Sequence, residues 1–159
     1  GLVMGTRAGD IDPGVILHLL RQGKSPDELE ELFTHQSGLK GVSGVSGDVR
    51  ELEKASADGN ARADLALDLF AYRTAKYIAS YTPVLGGLDV LAFTGGIGEH
   101  SASIRTRICS RLHFLGVTLD ERTKRIGSTV ERQIGDGAVK TWVIPTNEAL
   151  EIARSVADV

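Results

Sequence analysis

With 159 residues, 42% of them hydrophobic and 25% charged, the chain has the length and balance of one globular domain with a proper core. A net charge of −3, with the 18 Lys and Arg spread along the chain, gives no basic footprint, so nucleic acid is not an expected partner. No apolar run approaches the roughly 20 residues that span a bilayer, so no membrane partner is expected either.

The chain opens on "GLVMGTRAGDIDPG", a loop dense in Gly, Arg and Asp with no initiator Met. Such a loop rarely begins a domain, so the chain is expected to be a fragment whose N-terminal part lies elsewhere. Asp12 and Pro13 read as N-cap and first residue of a helix that runs to Gly23. "SPDE" then starts a second helix, with Ser25 and Glu28 forming a capping box, ending near Ser37 and Gly38. "GLKGVSGVSGD" holds four glycines and reads as a loop, followed by a short helix over residues 48–55. The longest helix is expected over residues 60–81. Its stripe is Ala63, Leu67, Phe70, Thr74, Tyr77, Ile78 and Tyr81, widened by Leu65, Leu69 and Tyr72. "DVLAFT" reads as a buried parallel strand. After the glycines of "FTGGIGEHS", a helix is expected from about Ser101 to Leu112. "FLGVTLD" reads as a second strand and "AVKTWVIP" as a third, stopped by Pro145. Residues 123–137 read as loop with room for one edge strand. "TNEALEIARSVA" closes the chain as a helix capped by Thr146 or Asn147. Alternation of strands and helices makes the class α/β with a partly parallel sheet.

Four stretches could carry chemistry. "FTGGIGEHS" follows a strand, where open α/β sheets bind ligands, but neither the dinucleotide fingerprint nor a Walker A loop is present. Glu99 would repel a polyphosphate, so the turn suits a nucleoside moiety; the plainer reading is a strand-to-helix turn with Glu99 near a helix N-terminus. In "GTRAGDIDP", Arg7 offers a planar fork to phosphoryl or carboxylate oxygens, with Asp10 and Asp12 close enough in sequence to orient it. Asp12 also reads simply as a cap, and Asp10 as a salt-bridge partner of Arg7. Glu148 in "VIPTNEAL" is either a Mg²⁺ ligand or a first-turn carboxylate favoured by the helix dipole. Asp48 and Arg50 either contact a nucleotide or merely cap and decorate a helix. The single cysteine, Cys109, rules out an internal disulfide, fits a reducing, cytoplasmic compartment, and reads as a small buried side chain rather than a nucleophile.

Together "GLVMGTRAGDIDPG", "SGLKGVSGVSGDVRE", "LDLFAYRTAKYIASY", "FTGGIGEHSASIR", "LGVTLDE" and "VIPTNEALEIAR" resemble, in order and spacing, the C-terminal portion of the acetate kinase family, within the acetate/propionate/butyrate kinase group. The resemblance covers essentially the whole chain. It implies a ribonuclease H-like, actin-like ATPase fold of the sugar kinase–Hsp70–actin type, here a partial C-terminal nucleotide-binding domain lacking its first strands. By resemblance Arg7 matches the family's catalytic arginine and Glu148 the acidic residue associated with Mg²⁺. Asp48, Val49 and Arg50 match the nucleotide-contacting segment. Gly96, Ile97, Gly98, Glu99 and His100 match the adenosine-side motif, with His100 where the family commonly has Asn. The implied reaction is reversible: ATP plus acetate gives ADP plus acetyl phosphate, by direct in-line transfer.

The resemblance further implies ATP or ADP and Mg²⁺ as ligands, a homodimer formed through this domain, and an isolated chain without turnover. Arg7 and Glu148 are expected to converge on the phosphate end of a nucleotide whose base lies beside Gly96. Propionate or butyrate as substrate, or a noncatalytic module that binds nucleotide or dimerises, are the alternatives.

Overall fold

The computed structural model describes residues 1–120, 130–146 and 148–157, and for residues 148–151 and 157 the backbone alone. Two compact units divide the chain, Gly1–Leu85 and Gly86–Val159.

In the first unit the cap chemistry sets the helix starts as expected. The Asp12 carboxylate accepts a hydrogen bond from the Gly14 amide at 2.6 Å ahead of α1 (Pro13–Arg21). Ser25 and Glu28 form the reciprocal capping box of α2 (Pro26–His35), at 2.8 and 3.2 Å. The glycine-rich stretch expected to be loop instead begins with a short helix, α3 (Gly38–Ser43), which Gly44 ends in the left-handed region. Glycine lowers helix propensity, but here tertiary contacts override it. The first-turn amides of Leu39 and Lys40 donate to Met4 O and Gly5 O, each at 2.9 Å, so the helix is nucleated by the N-terminal loop.

Helix α4 (Val49–Ala57) leads to α5 (Ala61–Leu85), and both α3 and α4 pack on α5. α5 continues past the expected end at Tyr81 and carries Pro83 inside its last turn. Its buried stripe is also narrower than expected: Ala63, Ala66, Leu67, Ala71 and Ala75 are inside, while Leu65, Tyr72 and Tyr81 are exposed. Apart from Leu67 that buried face is alanine, which lets neighbouring helices approach closely.

The second unit is built on a three-stranded sheet in the order β1 (Val90–Phe93), β3 (Lys140–Val143), β2 (Arg132–Asp136). β1 and β3 run parallel, with Val90 opposite Lys140 and Phe93 opposite Val143. β2 pairs antiparallel with β3 and supplies the edge strand for which residues 123–137 had room; residues 121–129 lie outside the described set. β1 is half-buried rather than wholly buried, with Leu91 and Phe93 inward and Val90 and Ala92 outward. "FLGVTLD" does not form the expected strand. Residues His113–Leu115 make a 3-10 turn closed at Gly116 (φ 86°), and a single bridge joins Val117 to Val139.

Helix formation after β1 begins earlier than expected, with α6 (Gly95–His100) ahead of α7 (Ala102–Cys109). α8 (Glu148–Ala157) follows β3; of its two proposed caps, Asn147 lies outside the described residues. Cys109 is buried on α7, and burial pushes its thiol up to about 12, which leaves it a packing group at neutral pH. No described helix is long and apolar enough to cross a membrane.

Candidate functional site

The Arg7 loop is held by backbone. Ala8 N donates to Phe33 O and Ser37 N to Thr6 O, both at 3.0 Å, and Met4 N closes a turn onto Arg7 O at 3.1 Å. Gly38, at φ 63°, sits against this turn so closely that a Cβ there would lie 2.2 Å from Met4 O and 2.8 Å from Arg7 O. The Arg7 side chain is exposed. Neither aspartate orients it, contrary to expectation. Asp12 is occupied as the α1 cap. Asp10 faces α5, accepting from the Tyr77 hydroxyl at 2.6 Å and pairing with the Arg73 guanidinium. Its partners on α5 lie more than sixty positions along the chain, beyond anything local spacing suggests.

The segment Asp48, Val49 and Arg50 meets the Arg7 loop through glycine. A Cβ on Gly5 would come 2.9 Å from Gly47 O, and one on Gly47 would come 2.7 Å from Gly5 O. Two backbones therefore touch immediately before Asp48 and two residues before Arg7. Asp48 caps α4, accepting from Arg50 N at 2.8 Å, and its carboxylate also grips the Arg50 side chain at 3.1 and 2.6 Å. That side-chain pair is the main reason Asp48 sits at about 2. The Arg50 side chain remains 86% exposed, so its outer face is open while its inner face is fixed. Val49 is buried; any ligand contact it makes is through backbone.

In the second unit the glycine turn lies at the C-terminal ends of parallel β1 and β3. Gly95 needs its residue type for conformation, at φ 71°, and Gly98 for packing, since a Cβ would sit 3.3 Å from Phe93 C. Gly96 needs it for neither among the described residues: its φ is not positive, and a Cβ would meet no described atom within 4 Å. Ile97 is half-buried and His100 exposed. Glu99 turns back into the protein. One oxygen, Oε1, accepts from Gly95 N at 2.9 Å, Thr146 N at 2.9 Å and Thr146 Oγ1 at 3.0 Å. The Thr146 amide is the chief cause holding its carboxyl below the ordinary value.

Arg105, 2% exposed, reaches from α7 to donate to Gly98 O at 2.8 Å and Glu99 O at 2.9 Å, capping the C-terminal end of α6. A groove of about 620 Å³ opens here, lined by Glu99, His100, Val130, Glu131, Ile144 and Thr146 among others. Sequence reasoning assigned no role to Arg105, and to Thr146 only a cap. An arginine in a short polar helix gives no local sign that it is buried.

Glu148 is the first residue of α8, and its side chain lies outside the described residues. Arg7 and the Asp48 segment belong to one unit, and the glycine turn and Glu148 to the other. Among the described residues no three His, Cys, Asp or Glu side chains group as a protein-only cation cage. Mg²⁺ at phosphoryl-transfer sites uses one or two carboxylates with water and phosphate oxygens, so a single carboxylate at position 148 is a fitting donor.

An α/β unit with a small mixed sheet and glycine-rich turns at its parallel strand ends fits the class, a portion of an actin-like ATPase fold. The family model described as the Acetokinase family matches residues 1–154, and the chain belongs to that family. It is 50% identical over 161 residues to the acetate kinase of Dictyoglomus thermophilum, covering 100% of this chain and 40% of that relative. It is 52% identical over 157 residues to the propionate kinase of Escherichia fergusonii, covering 98% and 39%. Among solved structures, Porphyromonas gingivalis acetate kinase matches with a TM-score of 0.90 at 41% identity over 98% of this chain and 40% of that one. Entamoeba histolytica acetate kinase matches with a TM-score of 0.91 at 30% identity over 99% and 42%. The chain thus spans about two-fifths of the length of these relatives.

Proposed function

We propose that this chain is the nucleotide-side portion of a carboxylate kinase, a partial nucleotide-binding domain serving reversible phosphoryl transfer between ATP and acetate. The observation that carries the reading is Gly96. Among the described residues its lack of a side chain answers to no conformational or packing need, and a bare backbone of this kind suits the close approach of a ligand. The adenosine end is assigned to Gly96, Ile97, Gly98 and His100.

Arg50, its inner edge fixed by Asp48, presents an open guanidinium edge to the nucleotide. Arg7, carried on a loop pinned by backbone, neutralises the oxygens of the phosphoryl group in flight. Glu148 would hold Mg²⁺, which, when bound, screens the nucleotide phosphates. The acceptor carboxylate attacks in line, so no covalent enzyme intermediate is needed. Phosphoryl transfer depends on positioning and charge neutralisation, and a rigid loop with an exposed arginine suits that task.

Propionate is the second reading, because a propionate kinase is as similar to this chain as the acetate kinases are. We assign the working protein to the cytoplasm as a homodimer. The 159-residue chain alone does not turn over acetate in this reading. Calorimetry with ADP and Mg²⁺ tests it: binding that is lost in Arg50→Ala and Gly96→Val is expected, and a wild-type chain that binds no ADP would overturn it. A coupled assay at an ordinary kinase rate from the chain alone would overturn the expectation of inactivity. Acetate against propionate in the longer protein carrying this chain decides the acceptor.

A further inference from the structure

We infer that Glu99 is a positioning residue, a latch joining the glycine turn to the segment that enters α8. The geometry stands on its own; its functional consequence rests on the nucleotide reading above.

β1 and β3 are parallel neighbours, so their C-terminal exits lie side by side. Ile144 N donates to Phe93 O at 2.9 Å, continuing the backbone pairing just past the strands. Beyond it the chain paths part, one into α6 and the other through Pro145 to Thr146 and α8. Proline has no N–H, so the Thr146 amide is the next donor the β3 exit can offer. That amide, the Thr146 hydroxyl and the Gly95 amide all converge on a single Glu99 oxygen. Bonds to an ionised carboxylate are the stronger class, and these three come from both exits.

The carboxylate is itself aimed from behind. Arg105 holds the Glu99 carbonyl and that of Gly98 from a buried position, which fixes the backbone from which the latch extends. A nucleoside hydroxyl seeking Oε1 would have to displace donors already in place. The latch therefore makes the turn assigned to adenosine and the approach to Glu148 move as one piece. Sites joined in this way share a coupling free energy that acts in both directions.

Amide hydrogen exchange on the 159-residue chain, with ADP titrations run with and without Mg²⁺, tests this. In Glu99→Ala the Gly95 and Thr146 amides should both exchange about tenfold faster or more, while Val143 and Ile108 stay protected. Glu99→Gln, which keeps an acceptor oxygen but no charge, should fall between, and Thr146→Val should show a smaller rise. Should the alanine variant fail to fold, these two milder variants carry the test. With Mg²⁺ present, Glu99→Ala should weaken ADP by about tenfold, and by much less without it. Unchanged exchange at both amides overturns the latch. So does unchanged exchange together with an equal loss of ADP affinity with and without Mg²⁺, the mark of a direct ligand contact. If the wild-type chain binds no ADP, the proposed function falls and the exchange data alone decide the latch.

Discussion

The Arg7–Asp48 region and the Gly95–His100 turn both depend on glycine, and the dependence has different origins. At Gly5, Gly38 and Gly47 the missing side chain is demanded by the protein, because backbone atoms already occupy the space. At Gly96 no described atom occupies the space. The charged groups differ in parallel. In the first unit the Arg7 and Arg50 side chains are exposed, and while the Asp48 carboxylate fixes Arg50, backbone contacts do the holding of the Arg7 loop. In the second unit side chains do it, Glu99 from one end of α6 and Arg105 from the other. The first unit thus presents cations on a loop pinned by backbone, and the second presents a turn of bare backbone.

The strongest way to break this comparison is Gly38→Ala. Its φ of 63° and the 2.2 Å approach to Met4 O should cost about 3 kcal/mol or more, lowering Tm by about 10 °C or more, read by circular dichroism. An unchanged Tm would mean that the Arg7 turn yields easily. Arg105→Met should come next, at about 2–3 kcal/mol, because the Gly98 and Glu99 carbonyls lose a buried charged donor; chemical denaturation measures it.

Gly96→Ala sharpens the contrast from the other side. Its stability should stay within about 0.5 kcal/mol of wild type, while ADP affinity falls by about tenfold. A large loss of stability there would place Gly96 with Gly38. The smallest effect concerns pH. The folded Asp48 carboxyl, at about 2, lies below its ordinary 3.8. Its contribution is therefore complete above the ordinary value and drains away as pH falls through the folded one. Asp48→Asn should flatten the acid side of the Tm profile slightly, and an unaltered profile would show that the exposed pair adds nothing.

Much of this was legible where local chemistry decides. The Asp12–Pro13 start, the Ser25–Glu28 box and the strands around Leu91 and Trp142 all rest on neighbours within a few residues. Where distant contacts decide, the sequence misleads. Four glycines hide α3 because its first turn is anchored to Met4 and Gly5 across the chain. Three glycines hide α6 because Glu99 and Arg105 hold it in shape. "FLGVTLD" has a strand's composition, yet with Gly116 in a left-handed turn and Phe114 exposed it makes, among the described residues, a single isolated bridge rather than a strand. Of the candidate site residues, types and neighbourhoods could be read, but not that Asp10 serves Arg73 and Tyr77 instead of Arg7.

The distribution of chromophores and thiols turns these two halves into separately observable objects. Trp142 and the buried Cys109 both lie beyond Gly86, whereas all three tyrosines, Tyr72, Tyr77 and Tyr81, lie on α5. Indole fluorescence and the onset of alkylation therefore report the opening of the sheet-bearing half, and phenol absorbance reports the helical half, with no label added to either.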